Sequence, residues 1–177
     1  MSNLKIDEIL RYTLAGGIAL LAVWFGYKEP NVWLTEKREG ALITVAFAAL
    51  PVLIGALVYV LHRALPYPFL YRVLAKRCGR PESIREMDIL RWKHQGKTGA
   101  LQNRMSEWAA QIHFLYAASW SIAFANLVAH FGGWTQSSWH WIQLSVFPIL
   151  LVAAILHHWR YLHWEAAVFA HDASLPN

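Results

Sequence analysis

The sequence predicts an all-α, polytopic membrane protein of four transmembrane helices. Both termini lie in the cytoplasm, and an amphipathic cytoplasmic helix lies between spans two and three. Three observations carry this. Of 177 residues, 56% are hydrophobic and 15% charged, whereas soluble domains run about 45–50% apolar and about 25% charged. The apolar residues gather into four continuous stretches, each long enough for a bilayer crossing of roughly 20 helical residues. The basic residues concentrate in one connecting segment. The same figures exclude disorder and collagen, and a single cysteine, Cys78, excludes a disulfide scaffold. Continuous apolar runs also argue against the alternating strands of a barrel.

The chain reads as a single domain over residues 1–177, with spans at about 10–27, 41–62, 109–131 and 139–162. The first has no charge after Arg11, and the second has none at all. The first reads as a span rather than a removable signal peptide, because Asp7 and Glu8 occupy the flank that should be basic. The third carries His113 and His130, and the fourth reaches Arg160 only near its end. Pro66 and Pro68 are expected to end the second span, since neither can continue a helix. Pro51 and Pro148 are expected to kink the second and fourth spans.

Charge sets the direction. Residues 63–108 hold ten of the 16 basic residues and only four acidic ones, so the net charge of +5 belongs to this segment alone. Positive charge stays inside, which puts the segment and both termini in the cytoplasm and the protein in the inner membrane as a multi-pass protein. Trp24, Tyr27, Trp33, Trp134, Trp139 and Trp141 then fall at the outer boundary. Trp108, Trp159, Trp164, Tyr67 and Tyr71 fall at the inner one, as expected of amphipathic rings. Cys78 reads as an incidental reduced thiol on the cytoplasmic side.

Within the basic segment, Ser83 and Glu86 fit a capping box, and Ile84, Met87, Leu90 and His94 follow at helical spacing until Gly96. An amphipathic helix over 83–95 is the expectation. Arg72, Lys76, Arg77, Arg80, Arg85, Arg91, Lys93, Lys97 and Arg104 form a face for anionic inner-leaflet lipid, or for a cytoplasmic protein or nucleic-acid partner. Gln95-Gly96-Lys97-Thr98 is not a phosphate loop, because Arg91 stands where that motif needs glycine. Leu101, Met105, Trp108 and Ile112 form a stripe that starts the third helix near Ala100, below the membrane.

The first two spans read as packing elements. Ala15, Ala19, Ala22 and Gly26 share one face of the first, and Ala41, Ala48 and Gly55 recur on the second, with His62 continuing the row. Small residues let helices approach closely in lipid. The other two spans carry polar stripes. Tyr116, Ser119, Asn126 and His130 fall within about an 80° arc of the third helix, and His140, Gln143, His158, Tyr161 and Glu165 within about 60° of the fourth. Such groups must face protein or water. His62, His113, His157, His158 and His163 gather at the cytoplasmic boundary.

Four uses of these groups compete: hydrogen bonding between helices, a polar lining shared around an oligomer axis, b-type haem held by paired histidines, and a metal site. No His-Glu-x-x-His sequence, nucleophile elbow or paired carboxylates are present. The expectation is therefore non-enzymatic, with no cofactor or metal and no catalytic residue. It is a homo-oligomeric pore or membrane effector, or a subunit of a membrane complex, gated by a cytoplasmic partner or ligand. The alternatives are a haem b electron-transfer subunit, and an anchor or scaffold for a cytosolic enzyme.

Overall fold

The computed structural model describes residues 6–28, 41–79 and 100–174, with side chains over 11–28, 49–79 and 104–169. Among the described residues there are five helices and no strand. They are α1 (Ile6–Gly26), α2 (Ala41–Ala64), α3 (Pro66–Arg77), α4 (Ala100–Phe131) and α5 (His140–Ser174). Arg104–Phe131 and His140–Phe169 are each long and apolar enough to cross a membrane. Ala49–Ala64 and Pro66–Arg77 supply a third crossing if they form one span broken by a 43° bend. Arg11–Gly26 is a shorter apolar stretch. An all-helical membrane protein fits these elements.

Helix α4 is already helical at Ala100, ahead of its apolar stretch, consistent with its apolar stripe. Helix α5 does not stop near residue 162 but runs to Ser174. Beyond Leu162 the apolar Trp164, Ala166, Ala167, Val168 and Phe169 continue, with no glycine or proline before Pro176 to halt the helix. Pro51 lies within α2 and Pro148 within α5.

Helix α2 ends at Ala64, directly before the prolines, and a new helix begins at once. Leu65 N still donates to Leu61 O at 3.0 Å, closing α2. Pro66 then occupies the first turn of α3, where its missing N–H leaves no helical bond unmade. Helix α3 buries Tyr71, Leu74 and Ala75 against Ile112 and Tyr116 of α4 and Ala154, Tyr161 and Leu162 of α5. It closes at Gly79, whose φ of 71° permits the turn that follows. The expected helix over 83–95 lies outside the described residues.

Helix α1 packs on α2 and α4, and α4 packs on α5. The α1–α2 crossing runs through Gly16 and Gly55: a β-carbon on Gly16 would overlap the Pro51 carbonyl, and one on Gly55 the Tyr12 carbonyl. The row Ala15, Ala19, Ala22 is buried, and Ala22 packs with Ile122 and Ala125 of α4.

At the opposite end from the basic residues, α4 and α5 are joined by a tight turn. Gly133, with φ of 65°, lets Trp134 N reach Ala129 O at 3.0 Å and its own N reach His130 O at 3.1 Å. That is a Schellman ending. The same turn closes α1: Ser137 N donates to Gly26 O at 2.9 Å and Lys28 N to Thr135 O at 3.0 Å, with a bridge between Tyr27 and Gln136.

Candidate functional site

The polar stripes of α4 and α5 face each other and α1–α3 inside one chain, as a buried seam rather than an outward face. Tyr116, Ser119, His140, His158, Tyr161 and Glu165 are all buried, and Asn126 and Gln143 are half-buried. His130 is exposed at the end of α4. Burial of such groups is tolerable only with partners, and they form two clusters.

The first cluster lies at the basic end. Tyr116 Oη stands 3.3 Å from His158 Nδ1, and the Tyr161 hydroxyl donates to Glu165 at 3.1 Å. His62 stacks on Tyr116 with centroids 5.0 Å apart and meets His113 edge-on at 5.7 Å. Helix α3 adds a lid of phenol rings. Tyr67 lies 4.5 Å from His113 and stacks on His158 at 5.5 Å and 4°, and Tyr71 stacks on His158 at 5.9 Å. Three of the five expected histidines thus meet. His157 is half-buried with Nδ1 unbonded, and His163 is exposed against the Trp159 ring at 4.7 Å.

The second cluster lies at the turn end. The Tyr27 hydroxyl donates to Asn126 Oδ1 at 2.6 Å, and Gln143 Nε2 donates to the same oxygen at 3.4 Å. Gln143 Nε2 is also 3.3 Å from His140 Nδ1, whose ring meets Tyr27 at 5.3 Å. One asparagine therefore joins α1, α4 and α5. Gly26 makes room, since a β-carbon there would overlap the Gln143 amide.

Between the clusters runs an apolar layer of Ala22, Ile122 and Ala125, packed by Ile18, Val23, Phe147 and Leu150. Ser119 turns its hydroxyl to Phe147 O at 3.4 Å, and Ser121 to Ala117 O at 2.8 Å.

Some polar atoms keep no partner among the described residues. Both ring nitrogens of His62 are buried and unbonded, as are His113 Nδ1 and Trp120 Nε1. No group of three or more His, Cys, Asp or Glu among the described residues has a geometry that could hold a metal ion. Within the cluster, Tyr116 packs against both His62 and His158, and Tyr67 against both His113 and His158.

The basic face begins on α3, where Arg72, Lys76 and Arg77 are exposed on the side away from Tyr71, Leu74 and Ala75, and it continues with the exposed Arg104. Arg80, Arg85, Arg91, Lys93 and Lys97 lie outside the described residues. Cys78, at the end of α3, is partly covered, and burial pushes its thiol pKa up.

Sequence reasoning assigned Tyr27, Tyr67 and Tyr71 to the interfacial belt; in the structure they are partners of the stripes. For Tyr67 and Tyr71 the available signal was their i, i+4 spacing behind Pro66. Tyr27 had none, because its partners lie about a hundred residues away. No protein-family model, curated protein or solved structure matches the chain.

Proposed function

We propose that the protein is a four-span inner-membrane proton conduit, shut in this conformation and opened from the cytoplasmic side. The observation that carries this is the seam: two buried polar clusters at opposite ends of one helical bundle, separated by the apolar layer of Ala22, Ile122 and Ala125. Imidazole and phenol groups in series inside a membrane protein are the material of proton relays, and an apolar constriction is a familiar gate. The path runs through each chain rather than along an axis shared by several.

Opening from the cytoplasm is supported by α3. Its exposed cations Arg72, Lys76 and Arg77 share a short helix with Tyr67 and Tyr71, the rings that cover His158. A partner or ligand drawn to the cations would move the rings. Oligomerisation remains part of the proposal, supported by the outer face of α5, where Trp141, Ile149, Val152 and Leu156 are exposed in the single chain. The positive-inside bias supports cytoplasmic termini.

Proton flux into vesicles holding a pH-sensitive dye, under an imposed potassium diffusion potential, tests the reading. The wild type is slow, and Ile122→Ser raises the flux at least tenfold. Adding Tyr116→Phe and Asn126→Leu to Ile122→Ser returns it to the baseline. Flux in Ile122→Ser indistinguishable from empty vesicles sinks the proposal.

A further inference from the structure

Beside the seam, α2, α3 and α4 enclose a lateral groove of about 700 Å³ whose wall is almost entirely carbon. Leu61, Leu65, Phe69 and Leu127 line it and are exposed, so in a bilayer its mouth meets acyl chains. At its back stand two polar side chains, His62 and Trp120. His62 is only 1% exposed and neither ring nitrogen has a hydrogen-bond partner, and Trp120 Nε1 is also buried without an acceptor. Their nitrogens are sealed behind the carbon wall, so the groove itself offers a lipid only apolar contact.

We infer that this groove is a binding site for one anionic glycerophospholipid of the leaflet at the basic end. An acyl chain fills the apolar cleft. The phosphate is recognised by α3. No cation lines the groove itself, but on the helix that carries Phe69, Arg72 follows at i+3 and Lys76 at i+7, both exposed. Those offsets place them on the Phe69 side of α3, about 4.5 Å and 10.5 Å further along its axis. An apolar cleft and then exposed cations occur in the order of tail and phosphate. The break at Pro66 creates the site, because α2 continued straight would not carry Phe69 and the cations around the mouth. This site does not depend on whether the seam conducts.

Native mass spectrometry of the full chain in mild detergent, titrated with phosphatidylglycerol, phosphatidylcholine or a prenyl quinone, tests it. The expected result is one phosphatidylglycerol bound per chain, at least tenfold tighter than phosphatidylcholine. Arg72→Gln and Lys76→Gln, both on exposed positions, each weaken phosphatidylglycerol roughly fivefold, the share of one surface cation, and leave phosphatidylcholine unchanged. Ala123→Trp, which fills the groove, weakens both lipids, provided that circular dichroism shows it folded. Equal binding of the two phospholipids, tighter binding of the quinone, or indifference to the charge variants overturns the inference.

Discussion

Gly16 and Gly55 meet backbone to backbone: a β-carbon on Gly16 would stand 2.8 Å from Gly55 N, and one on Gly55 would stand 2.9 Å from Gly16 N. Without a hydrophobic effect between helices in lipid, close approach of this kind is what joins α1 to α2.

Gly16→Leu or Gly55→Leu therefore forces the helices apart. Each is expected to lose about 1–3 kcal/mol, the range for overpacking, read as a lower melting temperature in detergent. Gly17→Leu is the control, since a β-carbon there meets nothing within 4 Å. Equal losses at positions 16 and 17 would show that the crossing is not where stability resides.

Asn126→Leu removes the acceptor shared by Tyr27 and Gln143. Leaving the Tyr27 hydroxyl stranded should cost about 1–3 kcal/mol. By contrast, Ser145→Ala should be neutral within error, because Ser145 is exposed and bonds only Trp141 O of its own helix. Denaturant titration of both variants against wild type decides the point.

Tyr116→Phe deletes the hydroxyl 3.3 Å from His158 Nδ1 while keeping the ring stacked on His62. A loss of about 0.6 kcal/mol is expected, the average for such bonds in a membrane protein. A Tyr116→Phe and His158→Phe double-mutant cycle with no coupling energy would remove this pair from the cluster.

For Cys78 the sign follows from burial. A thiol pKa above the ordinary value means a smaller thiolate fraction at any given pH below it. Iodoacetamide should therefore modify Cys78 at pH 8 several-fold more slowly than it modifies free glutathione. The rate should climb as pH rises through the raised pKa, and unfolding should abolish the difference. Parity with glutathione in the folded protein would contradict it.

A membrane-impermeant maleimide should reach Cys78 only from the cytoplasmic face. In a Cys78→Ser background it should reach Gln136→Cys, on the α4–α5 turn, only from the other face. Labelling of both from one side would refute the four-span arrangement.

Much of this fold was legible in the sequence because lipid imposes simple rules. Apolar length marked the long helices α4 and α5, and a stripe from Leu101 to Ile112 marked the extension of α4 ahead of its apolar stretch. Pro66 marks the end of α2, as its missing N–H predicts, but that the same residue also opens the next helix depends on the packing of Tyr71 and Leu74 on α4 and α5. The stripes were legible as 3.6-residue periodicity, but periodicity does not say what a stripe faces. Tyr27, Tyr67 and Tyr71 turn the polar face of α4 and α5 inward, and all three come from elsewhere in the chain. His62 was visible as the end of a small-residue row; that both its nitrogens are unbonded depends on neighbours from three other helices.

The pairing of α1 with the α4–α5 turn bears on how the chain is made. The carbonyl of Gly26 waits for Ser137 N, and that of Phe25, 112 residues away, for the Ser137 hydroxyl. Helix α1 is synthesised before α4 and α5, yet its end is sealed only by the turn between them. Until then its final carbonyls must be hydrated at the membrane surface or held by insertion machinery. A chain truncated before residue 132 would keep its early helices but leave α1 open at that end. Such a chain is the kind of intermediate that membrane quality-control proteases would be expected to recognise.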